Sequence, residues 1–387
     1  MKKVLPIFFC VCLIISLFFY ALLPAVAQDI TLVPSLEIRG EYDDNVLFTR
    51  TNEIDDYLTT IGPALTLDYA TELLNLESKI AVGFLRYADE KDLNTENQRY
   101  VLNGGYRFTE RWNLNGNFSY IKDKTLESEL EETGLVNVRE DRHRYNAGGG
   151  LSYQVSELSD MNINYIHTKT DYDFVGNVDY DYDAVTLSYN RRLKSERDII
   201  TVQPSYSSRD SEVSEADDYG LSFGWSHSFS ETLQLRAFLG ARYTEVRFGD
   251  ERQDYENWGG TADISLRKTG EVSSTLIGYR RDLRTSAYGE AIEVDRIYCD
   301  LRRRVIGRLG IGFRGNLYFT RSEGNFDGED SRYFEVIPSL NYQITENHTL
   351  ELAYVYSREE DRNLAEDRER ERNRVWIALN FTFPRKW

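Results

Sequence analysis

Arginine side chains at even spacing are the residues of this sequence best suited to bind a ligand. Arg302 and Arg304 lie two residues apart, and Arg296 lies six residues before Arg302. Even separations place side chains on one face of a strand, and a guanidinium group binds carboxylate or phosphate through two parallel hydrogen bonds. An anion pathway is therefore one interpretation; the other is that the arginines pair with acids of the same face and only rigidify it. The candidate residues are Arg236, Arg242, Arg267, Arg296, Arg302, Arg304 and Arg314.

Histidine and cysteine, which often carry catalysis, are sparse here, with four His and three Cys in the chain. Three histidines are an even number of residues away from the apolar residues of their segments, so they are expected on the same strand face as those residues: His143, His167 and His227. His348 lies in a predicted turn, so no histidine is placed to act as a base for a Ser or Asp partner. Cys299 lies on an apolar face, and no zinc spacing or phosphate loop is present. We therefore predict that the protein is not an enzyme and has no catalytic residue, cofactor or metal site.

The charge and the N-terminus limit the partners and the compartment. A formal net charge of −18 argues against nucleic acid as a partner and against simple adhesion to anionic lipid. Two lysines precede an apolar run over residues 4–23, and residues 25–27 are the small residues of a cleavage site. We predict a signal peptide at 1–27 and an exported chain at 28–387. An uncleaved membrane helix is the alternative, because the run is long enough to span a bilayer.

A short Ser/Thr-Glu turn recurs along the chain at intervals of about 38 residues, which indicates a repeated unit. Apolar and polar residues alternate on both sides of each turn, a period that predicts strands. The turns are at Thr71, Thr109, Ser156, Ser195, Ser230 and Thr345, with Thr269 and Gly307 in equivalent places. Longer polar connections are predicted at 43–56, 89–97, 122–141, 170–180, 209–217, 246–256, 284–291, 321–331 and 358–371.

This pattern predicts an all-β fold, a transmembrane antiparallel up-and-down β-barrel of about 18 strands. Short turns on one side and long loops on the other are typical of bacterial outer-membrane barrels, and closure is required because lipid cannot satisfy an open edge. Outer-membrane lipid is then a partner. A soluble β-solenoid or propeller is the alternative, but its strands are usually shorter. Pro63, Pro204, Pro338 and Pro384 fall inside predicted strands, where we expect bulges.

The C-terminal segment ends on an aromatic residue in register with an apolar face. Val375, Ile377 and Leu379 belong to that face, and Trp387 is the last residue. This arrangement resembles the assembly signal of outer-membrane proteins. We therefore expect the outer-membrane assembly machinery to be a partner through Trp387.

Residues 34–70 carry a resemblance to a known family. The segments PSLEIRGEYDDNVLFTR and DDYLTTIGPALTLDYA resemble the opening of a family of bacterial β-barrel porins associated with exopolysaccharide or exosortase gene clusters. Tyr42, Asp43, Asp44 and Asn45 match its recurrent motif. The resemblance implies a role in polysaccharide export or envelope biogenesis, and it transfers no catalytic residue.

Three functions from different classes remain open at this point. The first is a porin-like channel for an anionic exopolysaccharide, which the arginine face favours. The second is a structural or adhesive outer-membrane surface protein that acts through its acidic loops. The third is a barrel hydrolase, which the placement of the histidines disfavours.

Overall fold

The computed structural model describes residues 29–249, 253–323, 328–363 and 369–387, so the predicted signal peptide lies outside the described residues. All strands belong to one antiparallel sheet, and β1 pairs with both β2 and β18, which closes the sheet into a barrel. The predicted fold is thereby confirmed. The strands are β1 (Asp29–Asp43), β2 (Asp56–Ala70), β3 (Leu74–Tyr87), β4 (Thr95–Arg107), β5 (Trp112–Lys124), β6 (Asp141–Ser156), β7 (Ser159–Tyr172), β8 (Tyr180–Arg192), β9 (Asp198–Ser211), β10 (Ser214–Ser228), β11 (Leu233–Phe248), β12 (Tyr255–Thr269), β13 (Ser273–Thr285), β14 (Ala291–Ile306), β15 (Leu309–Ser322), β16 (Asp330–Thr345), β17 (His348–Asp361), β18 (Glu369–Thr382) and the two-residue β19 (Arg385–Lys386), which pairs with β1.

Alternation decides which side chains face outward. Ile61, Leu239 and Ile377 are 47%, 57% and 51% exposed, although each belongs to a long strand of the sheet. An apolar outer face of this kind is stable in lipid and unfavourable in water. The barrel therefore sits in the outer membrane. Among the described residues no helix is long and apolar enough to cross a membrane.

Aromatic side chains form belts near both ends of the outer face. On the long-loop side, Tyr206, Tyr219, Tyr243 and Trp258 follow one another across four neighbouring strands, with ring centroids 5.3, 6.5 and 5.2 Å apart. On the short-turn side, Trp112 of β5 packs against the ring of Tyr153 on the neighbouring strand β6. Such girdles mark the two interfaces between lipid and water.

The recurrent turns are built by their hydroxyl groups. The Thr71 hydroxyl oxygen accepts hydrogen bonds from the backbone N–H of Leu73 at 3.3 Å and of Leu74 at 2.9 Å. Local bonds of this type are the reason that Ser and Thr favour turns. Equivalent bonds to the hydroxyl oxygens occur at Thr109, Ser156, Ser230 and Thr345.

The predicted long connection at 209–217 is wrong. Strand β9 continues to Ser211 and β10 begins at Ser214, so a tight turn joins them on the long-loop side. The Ser211 hydroxyl oxygen accepts from the backbone N–H of Val213 at 3.3 Å and of Ser214 at 3.1 Å. Because Ser211 and Glu212 repeat the Ser-Glu signature of the other turns, the sequence does contain the signal for this turn.

The bulges expected at the prolines are also wrong. Pro63 pairs with Leu36 of β1, while pairing with β3 lapses between Ile61 and Ala64 and resumes in the same register. Proline lacks one N–H, so one rung is lost toward one neighbour and no residue needs to be inserted. The ladders beside Pro204, Pro338 and Pro384 show the same lapse without a shift.

Candidate functional site in the barrel lumen

The connection between β5 and β6 folds into the barrel. We call residues 125–140 the inner segment; it begins with the helix α1 (Thr125–Glu132). Leu126 and Leu130, one helical turn apart, are 0% and 5% exposed and pack in one cluster with Tyr318 and Tyr333. These tyrosines belong to β15 and β16, about halfway round the ring of strands from β5 and β6. The inner segment therefore crosses the lumen and narrows it.

The opposite wall completes the C-terminal end of α1. The Tyr318 hydroxyl donates to the carbonyl oxygen of Glu131 at 2.6 Å, and Arg284 Nη1 donates to that of Glu132 at 2.9 Å. The last carbonyls of a helix have no partner within the helix, and a cation is favourable beside them because the helix dipole is negative at this end. These bonds fix where the inner segment meets the wall.

Gly134 allows the chain to leave α1 against that wall. Its φ is +74°, a conformation that side chains other than glycine rarely adopt. A Cβ atom at this position would lie 2.6 Å from Cβ of Tyr318. Both the backbone conformation and the close approach therefore require glycine.

The acids of the inner segment differ in their surroundings. Glu132 Oε1 lies 2.6 Å from Arg144 Nη1 and 3.1 Å from Arg142 Nη2. Burial opposes ionisation of Glu132, but attraction to these two arginines outweighs burial and lowers the pKa of Glu132 to about 2. Glu127 Oε1 lies 3.1 Å from Nε of Arg139, within the inner segment itself.

Glu129 is in the opposite situation. Its side chain is buried, and burial together with repulsion from Glu132 raises its pKa to about 7 against the attraction of Arg142 and Arg144. The Thr133 hydroxyl donates to Glu129 Oε2 at 3.2 Å. A docked inner segment thus binds the Glu129 proton more tightly than an exposed carboxyl group does. The contribution of Glu129 to docking is therefore fully present below the ordinary pKa of a carboxyl group and is lost as the pH rises toward about 7.

A cavity of about 620 Å³ lies between the inner segment and the wall formed by β13–β18 with β1. Its charges are unevenly distributed. Acids of α1 line one side, namely Glu127, Glu131 and Glu132. On the wall opposite, seven arginines outnumber three acids, Asp300, Glu335 and Glu351. We call these arginines the arginine wall: Arg39, Arg284, Arg296, Arg302, Arg314, Arg372 and Arg374.

The arginines of this wall are not equivalent. Arg296 lies 5.4 and 5.1 Å from the ring centroids of Tyr298 and Tyr318 and donates to Oδ1 of Asn316 at 2.7 Å. No carboxylate of the described residues lies within ion-pair distance of Arg296. By contrast, the Arg372 side chain is 4% exposed and contacts the carboxylate of Asp43 through two nitrogens.

A second cavity, of about 660 Å³, continues the first toward the short-turn end. The two cavities share Arg302 and Arg314. Asp300 Oδ2 lies 2.8 Å from Arg302 Nη2 and 3.9 Å from Arg314 Nε. Five arginines but two glutamates line this second cavity, and it is therefore basic: Arg302, Arg303, Arg304, Arg308 and Arg314, with Glu271 and Glu351.

The structure brings four of the seven candidate arginines together, since Arg296, Arg302, Arg304 and Arg314 line these two connected cavities. The other three lie elsewhere. Arg242 is buried and forms ion pairs with Glu323 and Asp218, which is the structural pairing that the sequence left open. Arg236 lies over the ring of Phe238 at 4.6 Å on β11. Arg267 on β12 lines neither cavity.

Sequence reasoning missed the inner segment and its contacts. It treated 122–141 as a longer loop, although the spacing of Leu126 and Leu130 and the following Gly134 are the signature of a short helix. Arg284 and Arg372 were not singled out as site residues. No group of three or more metal-binding side chains is found in the part of the chain that the structure describes.

The chain is similar to known porins. Residues 29–138 match the model of a family described as "Putative beta-barrel porin 2", and this range contains the motif at Tyr42–Asn45. The comparison with curated proteins finds no match.

Solved structures with a similar fold include OccK2 (OpdF) of Pseudomonas aeruginosa, at 9% identity and a TM-score of 0.49, covering 92% of this chain and 98% of that one. OccAB3 of Acinetobacter baumannii gives 10% identity, a TM-score of 0.49, and coverage of 92% and 99%. A BenF-like porin from Pseudomonas fluorescens Pf-5 has 10% identity and a TM-score of 0.47, covering 91% of this chain and 99% of that one. The closed antiparallel sheet makes the chain an outer-membrane β-barrel, and the match over residues 29–138 confirms the resemblance to the β-barrel porin family for that part of the chain.

Proposed function

We propose that this protein is a channel that passes anions between the inner segment and the arginine wall. The observation that carries the proposal is the uneven distribution of charge across the lumen, with only acids on α1 and seven arginines against three acids on the wall opposite. Fixed charges of one sign raise the local concentration of counter-ions and set the selectivity of a pore. The basic second cavity extends this field to the short-turn end.

Exposure distinguishes arginines that can meet a passing anion from those that hold the wall together. The side chains of Arg302 and Arg314 are 66% and 56% exposed. Since exposed ion pairs are weak, both arginines can exchange Asp300 for a mobile anion. Arg372 and Arg242 are 4% and 5% exposed and stay with their buried acids. The pathway therefore runs from Arg296 past Arg302 and Arg314 toward Arg304.

Single-channel recording in planar bilayers under a potassium chloride gradient tests the proposal. The wild-type chain is expected to prefer chloride. Arg302→Glu and Arg314→Glu each replace an attraction of about 1 kcal/mol at 4 Å in water by a similar repulsion. The ratio of chloride to potassium permeability should then fall at least about tenfold.

Arg247→Glu is the matched control, because Arg247 has the outward parity of β11 and is 54% exposed. Its reversal potential should equal that of the wild type. A wild-type channel without anion preference, or unchanged selectivity in both lumen variants, would contradict the proposal.

A finer proposal concerns the anion itself. The resemblance of residues 34–70 to porins of exopolysaccharide gene clusters favours an anionic exopolysaccharide as the exported substrate. Oligomers of a uronic acid should then interrupt the chloride current of the wild type, and Arg302→Glu should shorten these events. A selective chloride current without interruptions would refute the finer proposal and leave the anion channel standing.

The alternative of an adhesive surface protein depends on exposed loops. The longest predicted loop, 122–141, supplies the inner segment, and Leu126, Leu130 and Leu135 of that segment are buried. This placement removes from the outer surface the loop best suited to adhesion. The structure thus favours a channel over an adhesin.

A further inference from the structure

A recess of about 640 Å³ lies on the part of the barrel wall formed by β5–β11. We call it the polar recess. It has the size of a small-molecule site, and it shares no residue with the two cavities of the arginine wall. Amide and hydroxyl side chains and two aromatic residues line it, among them Asn162, Asn190, Thr201, Gln234, Tyr153 and Phe238.

One carboxylate orients the amides of this recess. Asp160 Oδ2 accepts from Nδ2 of Asn162 at 2.7 Å and from Nδ2 of Asn190 at 2.8 Å. The Thr201 hydroxyl donates to Oδ1 of Asn190 at 2.7 Å. A carboxamide has two N–H donors and a carbonyl acceptor, so each amide has further hydrogen-bonding capacity in a plane that is already set. Preorganised groups of this kind bind a ligand with a smaller entropy cost.

The charges of the recess are balanced, unlike those of the arginine wall. Arg192 and Arg236 line it together with Glu157 and Asp160. The Arg236 guanidinium lies 4.6 Å from the ring centroid of Phe238, an attractive contact that holds the ring in place. The recess thus combines fixed amide donors and acceptors with an apolar ring and no excess of either charge.

We propose that the polar recess binds an uncharged, hydroxyl-rich ligand, a saccharide unit. Vicinal hydroxyl groups both donate and accept, which matches the amides of Asn162 and Asn190, and the apolar face of a sugar ring matches Phe238. The inference deepens the proposed function by adding a saccharide site to the lumen and rests on it for the ligand's access. The test measures binding, so the channel and the site can fail separately.

Saturation-transfer NMR on the full chain in detergent, titrated with maltotriose, tests this site. The wild type should give saturable transfer, and polyethylene glycol of similar mass should not. Asn162→Leu and Asn190→Leu should each weaken binding about tenfold, the loss expected for about 1.4 kcal/mol of hydrogen bonding. Asp160→Asn should also weaken binding, because its new N–H donors disturb the orientation of both amides.

Asn316→Leu is the matched control, since it makes the same change on the arginine wall and should leave maltotriose binding unaltered. Heat-dependent migration on gels identifies the variants that form a barrel. If a leucine variant does not form a barrel, the binding measured for Asp160→Asn tests the proposal instead. The inference is overturned if wild-type transfer does not saturate, if polyethylene glycol binds equally, or if folded recess variants bind like the wild type. Arg302→Glu should change ion selectivity and keep sugar binding.

Discussion

Docking of the inner segment depends on a small apolar contact, and Leu130→Ala tests it. Leu130 is 5% exposed within the cluster that contains Tyr318 and Tyr333. Truncation of a buried leucine to alanine costs about 2–5 kcal/mol. A loss of roughly 3 kcal/mol lowers the ratio of docked to undocked inner segment about a hundredfold. Local opening of a loop is possible without unfolding of the barrel, because stability is not uniform across a structure.

Single-channel recording reads this change directly. An undocked inner segment leaves a wider lumen, so Leu130→Ala should show frequent transitions to a state of higher conductance. Leu352→Ala is the control, because Leu352 is 43% exposed on the lipid-facing side of β17. It removes the same atoms far from the inner segment and should leave the conductance pattern unchanged.

The reasoning would be refuted by a Leu130→Ala channel whose conductance and opening frequency equal those of the wild type. It would also be refuted if Leu352→Ala produced the same transitions, since a general loosening of the barrel would then be the cause. Cysteine labelling distinguishes undocking of the inner segment from a general loosening of the barrel. In a Leu126→Cys variant, the new thiol should react faster with a labelling reagent after Leu130→Ala only if the inner segment leaves the wall.

Two further predictions concern the same docking equilibrium. Gly134→Ala should raise the frequency of the wide state in bilayer recordings, because the strained φ alone costs about 1–3 kcal/mol and the new Cβ meets Tyr318. Gly40→Ala is the control and should leave this frequency unchanged, because its Cβ would have nothing within 4 Å. Equal effects of the two substitutions would contradict the packing argument. The wide state should also become more frequent as the pH rises from about 4.5 to 7, because Glu129 then loses the proton that docking favours; a pH response in Glu129→Gln as steep as that of the wild type would contradict this assignment.

The barrel could be predicted because its signals are local. Alternation along residues 112–120 decides which side chains of β5 face lipid, and the hydroxyl of Thr109 forms the preceding turn with its own neighbours. A strand, a turn and a lipid-facing surface each need only a few consecutive residues. The turn at Ser211 has the same local signal, which the charged residues around it obscured.

The inner segment could be recognised as a helix but not placed. Leu126 and Leu130 predict an apolar helix face, yet the Tyr318 that meets it lies far along the chain. Which wall the helix reaches depends on how the strands close into a ring. A local pattern carries no information on that distance.

The arginines illustrate the difference between what the sequence determines and what only the folded chain determines. Strand parity alone puts Arg242 and Arg302 on the inward face, because side chains alternate at a period of two. Only the folded chain shows that Arg242 is buried against Glu323 while Arg302 stays exposed in a cavity. The sequence by itself determined the strands and their outward faces, since these follow from contacts between near neighbours, and it predicted closure because lipid cannot satisfy an open sheet edge. The tertiary structure decided which charges are paired, what crosses the lumen and where space remains, because these depend on residues brought together from opposite walls.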